Sequence, residues 1–154
     1  MPGLLVQALI AHFDSVFQGP NGDYSAVLEA VAGVSVTHAL WKPRPTQNSI
    51  WQIVEHLIAS KEWQIEMLEH GQAASPVWVE PAGDEAAWQA SLARLKDAHY
   101  RLKLALEQVA EADLLKVPVP EGGRTLLELV LSSGPAHEAH HGGQIDYLKG
   151  LQAG

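Results

Sequence analysis

Apolar residues along this chain recur at steps of three and four, the spacing that lines one face of an α-helix. The clearest run is Trp88, Leu92, Leu95, His99, Leu102, Leu106 and Val109, whose steps alternate between four and three. A seam with that near-heptad period is what a helix turns toward its neighbours in a bundle. Alternation of period two is short and bounded by proline: Val77-Trp78-Val79 and Lys116-Val117-Pro118-Val119. Neither piece is long enough to build a sheet. The pattern therefore predicts an all-α protein.

Punctuation by proline, glycine and capping residues divides the pattern into four main helices. The first spans about Leu4 to Phe17. An extra short helix, about Ser25 to Val31, follows the Gly19-Pro20-Asn21-Gly22-Asp23 turn. The second main helix starts after Asn48 or Ser49, either of which can cap it, and stops near His70-Gly71. The third starts at Asp84 and reaches about Ala110. The fourth opens at Thr125, whose partner Glu128 completes a capping-box pattern, and ends at Gly150. Gly134-Pro135 lies inside it and predicts a kink or a restart, because proline lacks an N–H and clashes with the carbonyl of Leu131. The expected architecture is a four-helix bundle forming a single domain over residues 1–154. Connections of roughly 12–15 residues on either side of the third helix exceed usual bundle loops, so they either cross over or cover an open end.

Composition narrows the function classes. The chain has 154 residues, 18 Asp and Glu, 10 Lys and Arg, and a formal net charge of −8. The basic residues are scattered, which argues against a nucleic-acid surface. No apolar run approaches the ~18 residues of a membrane span. The first residues, Met1-Pro2-Gly3-Leu4-Leu5, lack the basic segment of a secretory signal, so a cytoplasmic location is expected. Cysteine is absent, which excludes thiolate metal ligands and a thiol nucleophile of the chain's own. Eight histidines in so short a chain are the compositional oddity.

The fourth helix carries Ala136-His137-Glu138-Ala139-His140-His141-Gly142-Gly143-Gln144. His137 and His141 stand one turn apart and about 40° from each other around the axis, so both can grip one ion. They share a face with Leu126, Val130, Ser133, Gln144 and Leu148, which points them inward. His140 sits to one side. On the second helix His56 shares a stripe with Gln52, Ile53, Ser60, Trp63 and Met67, which would let it meet the pair across the bundle. Three neutral imidazoles would hold a divalent cation at ~2.0–2.1 Å and leave a position open, the pattern of a catalytic metal site. The alternative is a set of hydrogen-bonded core histidines, and for His12 or His99 alone that is the better reading. Glu55 and Glu138 point about 100° away from their neighbouring histidines, so they are not expected to ligate and belong either on a solvated face or in a supporting role around the ligands. Trp63 and Met67 are read as core filler. Gly142-Gly143 suggests a close backbone approach by another helix or a second subunit.

These residues resemble the DinB/YfiT-like superfamily, whose members are regarded as metalloenzymes. The matching pieces are Leu40-Trp41-Lys42-Pro43, Asn48-Ser49-Ile50-Trp51 followed by His56, and Ala136 to Ile145 with a closing Leu148-Lys149-Gly150. The family's C-terminal signature is a His, three residues, a second His, a basic residue and Gly-Gln. The resemblance implies an up-down-down-up bundle, often dimeric, with a metal triad carried over to His56, His137 and His141. It implies zinc or nickel as the ion, and for some relatives a low-molecular-weight thiol as cosubstrate. Gly142 departs from the pattern, since the family usually has Arg or Lys there.

The expected function is a metal-dependent enzyme acting on a small-molecule substrate, with thiol-dependent transferase or isomerase chemistry or hydrolase-like chemistry, working as a homodimer. Gln52, His12, His99 and His140 are weaker candidates to orient ligands, line the pocket or move protons. The alternative is a non-catalytic stress-response module that binds a metal or small ligand, with His140 as a permanent fourth ligand. A di-iron carboxylate site is excluded because Glu138-x-x-His141 is the single Glu-x-x-His motif. A serine nucleophile elbow of the form Gly-x-Ser-x-Gly is also missing. With ordinary imidazole values near 6.5, metal affinity would fall below that pH.

Overall fold

A computed structural model describes residues 1–117 and 122–154. The second half of the Lys116–Val119 strand-like piece lies outside the described residues, and Val77-Trp78-Val79 forms no strand. Eight helices follow one another among the described residues: α1 (Leu4–Phe17), α2 (Val27–Val31), α3 (Val36–Leu40), α4 (Ile50–His70), α5 (Glu85–Glu107), α6 (Glu111–Leu114), α7 (Leu126–Ser133) and α8 (Pro135–Ala153). The bundle consists of α1, α4, α5 and the broken pair α7–α8. No helix is long and apolar enough to cross a membrane, within the described residues.

Local chemistry sets the boundaries. Ser49, not Asn48, caps α4: its hydroxyl accepts from the N–H of Gln52, and the Gln52 side chain accepts from the N–H of Ser49. The helix stops at Gly71, whose φ of 72° is left-handed. Asp84 caps α5 by accepting from Ala87. Thr125 and Glu128 close the expected capping box on α7. The short helices α3 and α6 were not legible in the pattern, because five- and four-residue turns carry no measurable period. The third main helix ends at Glu107, three residues before the expected stop, and the last one runs on to Ala153.

The fourth predicted helix is two helices. Pro135 occupies the first position of α8, and Gly134 joins them at φ −99°, ψ −106°. A proline restart satisfies the backbone, since its missing N–H would have no intrahelical partner there. Gly134 is also forced by space. A β-carbon at this position would stand 2.3 Å from the Phe13 ring and 2.7 Å from the Val130 carbonyl. At Gly142 the approaching group is the Ser25 carbonyl, 3.3 Å from where a β-carbon would lie, so a segment of the same chain explains that glycine.

Side-chain pairings give the helix directions. Asp14 of α1 meets His99 and Lys103 of α5, while Val6 and Leu9 share a cluster with Leu106, so α1 and α5 are antiparallel. Trp51 of α4 bonds Ser91 of α5, and Glu62 bonds Arg101 farther along both helices, so α4 and α5 are parallel. His56 meets His141 while Gln64 meets Ser133, so α4 and α8 are antiparallel. The result is the expected up-down-down-up bundle. Parallel neighbours need a crossover, and residues 71–84 provide it by running back along α4.

Two apolar clusters fill the bundle. One gathers Phe17, Val27, Trp51, Trp88, Leu95, Ile145 and Leu148. The other gathers Val6, Phe13, Ile65, Leu102, Leu106 and Val130. Between them, on every main helix, sits a polar residue: Asp14, Lys61, His99 and Glu138. Gly134→Ala is expected to cost about 1–3 kcal/mol, because neither the Phe13 ring nor the Val130 backbone can yield freely. A urea melt matching the wild-type midpoint would contradict that packing.

Candidate metal centre

His56 projects from the second turn of α4, and His137 and His141 from the first two turns of α8. The antiparallel packing of these helices brings the three rings together. His56 Nε2 lies 3.1 Å from His137 Nε2, which lies 2.9 Å from His141 Nε2. A set of ring nitrogens, one from each histidine, lies within 4.8 Å of one another. The rings stand nearly perpendicular, at 75–83° for the three pairs. A tetrahedral ion with ~2.0–2.1 Å bonds has ligand atoms about 3.3 Å apart, so the spacing fits one cation.

Hydrogen bonding supports the same fit. The Nδ1–H of His141 donates to Gln144 Oε1 at 2.6 Å, which leaves its Nε2 bare. The His137 ring lies against the Ser133 carbonyl, and the buried Nδ1 of His56 has no hydrogen-bond partner among the described residues. One proton on His137 Nε2 would have to be shared between two neighbouring lone pairs, so protons alone satisfy the three Nε2 atoms poorly. A cation at their centre satisfies all three at once.

Burial first, and then the charge of neighbouring histidines, pulls His56, His137 and His141 each down to about 4. His99 is also pulled to about 4, by burial first and then by the adjacent Lys61 charge. The rings of the triad are therefore held in the neutral form, the form that ligates, below the ordinary imidazole range.

Of the weaker candidates, none joins the triad. His12 is exposed on α1. Gln52 is used by the α4 cap and by Glu80, to which its Nε2 donates at 2.7 Å. His140 is exposed; its ring centre is 5.1 Å from that of His141, but it is not among the converging nitrogens. His99 is buried in the polar layer, where its Nδ1 accepts from Lys61 and its Nε2–H donates to Asp14.

Glu138 is the main correction. It is buried, not solvated, and pairs with the equally buried Lys61. Its position three before His141 and seven before Ile145 places it on the inward stripe of α8. Measuring its angle only from His137 concealed that. Lys61 likewise falls among Leu57, Ile58 and Ile65, at a core-spaced position of α4. Burial lowers Lys61 and raises Glu138, and each is drawn back toward its charged form by the other. The pair joins the two helices that carry the triad. Glu55 is also engaged, accepting from Ser91, Trp51 and Arg94.

The crossover completes the site. Trp78 stacks on His56 with ring centres 4.0 Å apart and planes at 6°. A cavity of about 340 Å³ opens on His56 and His137 and is walled by Ser60, Trp63 and Pro76. Trp63 is thus a wall of the site and not core filler, while Met67 is buried as expected and also lines a neighbouring cavity. Another cavity, about 890 Å³, lies between the loop before α4 and the outer face of α8, and none of the three imidazoles lines it.

A family model of the DinB superfamily matches residues 22–145. The chain belongs to the DinB superfamily. The match includes all three histidines, and the DinB fold agrees with the observed helical bundle. No curated protein and no solved structure shows significant similarity to this DinB member.

Lys61→Met is expected to destabilise the protein by about 3–5 kcal/mol, since it leaves a buried carboxylate without its cation. Lys61→Met with Glu138→Leu should recover most of that loss. Denaturant melts of the two variants test this, and equal losses would show that the pairing is not what matters. A second expectation concerns acid. Histidines near 4 in the fold and ~6.5 in the unfolded chain make the unfolded chain bind more protons between those values. Their contribution is complete above pH 6.5 and fades as pH falls toward 4. The melting temperature of metal-free protein should therefore drop between pH 7 and pH 4.5, and a flat profile would contradict the neutral triad.

Proposed function

We propose that this DinB protein is a metal-dependent enzyme acting on a small molecule, with His56, His137 and His141 holding zinc or nickel through Nε2. The observation that carries the reading is the convergence of three Nε2 atoms at a spacing that suits one cation. A divalent ion on three neutral ligands keeps its full positive charge and supplies Lewis acidity. The residues around it do the positioning. Gln144 fixes the His141 tautomer, and Trp78 holds the His56 ring plane and shields one flank. The 340 Å³ cavity beside His56 and His137 receives the substrate.

Apart from the ligands and Arg124, no titratable side chain lines that cavity among the described residues. Glu138 is spoken for by Lys61 on the far side of α8. The chain therefore offers no general base of its own at the site, and it has no cysteine. The nucleophile comes from outside, either water or a low-molecular-weight thiol, which suits hydrolase-like or thiol-dependent transferase chemistry. The assembled form in this reading is a homodimer. Exposed Leu40, Trp41, Tyr147 and Leu151 supply apolar surface for it.

His137→Ala should abolish stoichiometric metal in untagged protein measured by elemental analysis, because two imidazoles hold an ion far more weakly than three. Metal content unchanged in that variant would end the assignment. Cobalt-substituted protein separates an open site from a saturated one: added azide or thiol should change its visible spectrum. An unresponsive tetrahedral spectrum would instead indicate a non-catalytic binding module.

A further inference from the structure

The cavity at the triad continues into a second one of about 300 Å³, and the two share Trp63, Ser75 and Arg124 in their walls. Together they form a trough with imidazoles at one end and Met67 and Leu129 at the other. Among the described residues, no aspartate or glutamate lines either part. Arg124 stands where the two parts join. Its guanidinium donates to Ser132 Oγ at 3.4 Å, and no carboxylate among the described residues lies within ion-pair distance of it. Glu128, on the following turn, is engaged by the N–H and hydroxyl of Thr125.

We propose that Arg124 is the anion anchor of this trough, and that the ligand is a small carboxylic acid. Its metal-binding end reaches the triad, its carboxylate meets Arg124, and its apolar body lies along Trp63. The inference deepens the metal reading above and rests on it. The physical basis is that a guanidinium offers a planar pair of donors matched to a carboxylate. The hydroxyl of Ser75 borders the same place and can donate to the carboxylate, while that of Ser132 donates to the Leu129 carbonyl. A trough with a cation-binding triad at one end and an arginine at its middle, with no acidic wall among the described residues, favours a ligand bearing negative charge.

Cobalt-loaded protein tests the proposal, with the thiolate-to-cobalt absorption band as the readout. The probes are ω-mercapto acids of two to six carbons, each compared with the mercapto alcohol of equal length. The best-fitting acid should bind at least roughly fivefold more tightly than its alcohol. Arg124→Gln should erase that preference while leaving cobalt content and alcohol affinity unchanged, and Arg124→Lys should keep part of it. Arg124 is exposed, so neither variant threatens the fold. Equal binding of acid and alcohol by the wild type, or an acid preference that survives Arg124→Gln, would overturn the anchor. Protein that takes up no cobalt overturns the metal reading instead. In that case 3-phenylpropionate is titrated calorimetrically against the metal-free wild type and Arg124→Gln: weaker binding by the variant supports the anchor, and equal binding overturns it.

Discussion

The ion pair between Lys61 and Glu138 is the interaction on which the rest of the molecule depends. Two opposite charges sealed between two apolar clusters are costly to separate, because either alone would be stranded without water. One belongs to α4 and the other to α8, the helices that carry the metal triad. Lys61 also donates to His99 of α5, which in turn donates to Asp14 of α1. A single chain of hydrogen bonds thus touches all four walls of the bundle. It fixes their register in a way that interchangeable leucines cannot, and with it the mutual position of His56, His137 and His141.

Much of this organisation was legible in the order of residues. Trp88 to Val109 announced a bundle helix, Thr125 and Glu128 announced a helix start, and Gly134-Pro135 announced a break. The i, i+4 pair His137 and His141 pointed inward because of the company it keeps. Other features were hidden for identifiable reasons. Glu138 was judged against one neighbouring histidine when its relation to Ile145 and Leu148 was the informative one. Lys61 has a charged side chain, and a residue type usually found outside masks its core-spaced position. Trp78 and Arg124 reach the site from irregular segments, where periodicity carries no information.

Polarity and packing have divided the labour. The apolar clusters supply the bulk of the burial at either end, where side chains such as Phe13 and Trp88 are fully enclosed. The polar layer between them supplies uniqueness of arrangement. The imidazoles lie at the edge of that layer, half in contact with the interior and half with an open cavity. That position accounts for two properties together: burial keeps the rings unprotonated, and the cavity keeps His56 and His137 within reach of a ligand.

The parallel course of α4 and α5 has a consequence for how such a site can change over time. Antiparallel neighbours would be joined by a tight turn, and the metal would face open solvent. Here a fourteen-residue strap must travel back along α4, and it lies across the mouth of the site. Nearly all of this strap is free of the bundle's interior, so its sequence can drift while the scaffold beneath stays intact. The part of the site's surround that the strap supplies, Trp78 against His56 and Ser75 and Pro76 in the cavity wall, can thus be rewritten with the imidazole cradle left as inherited.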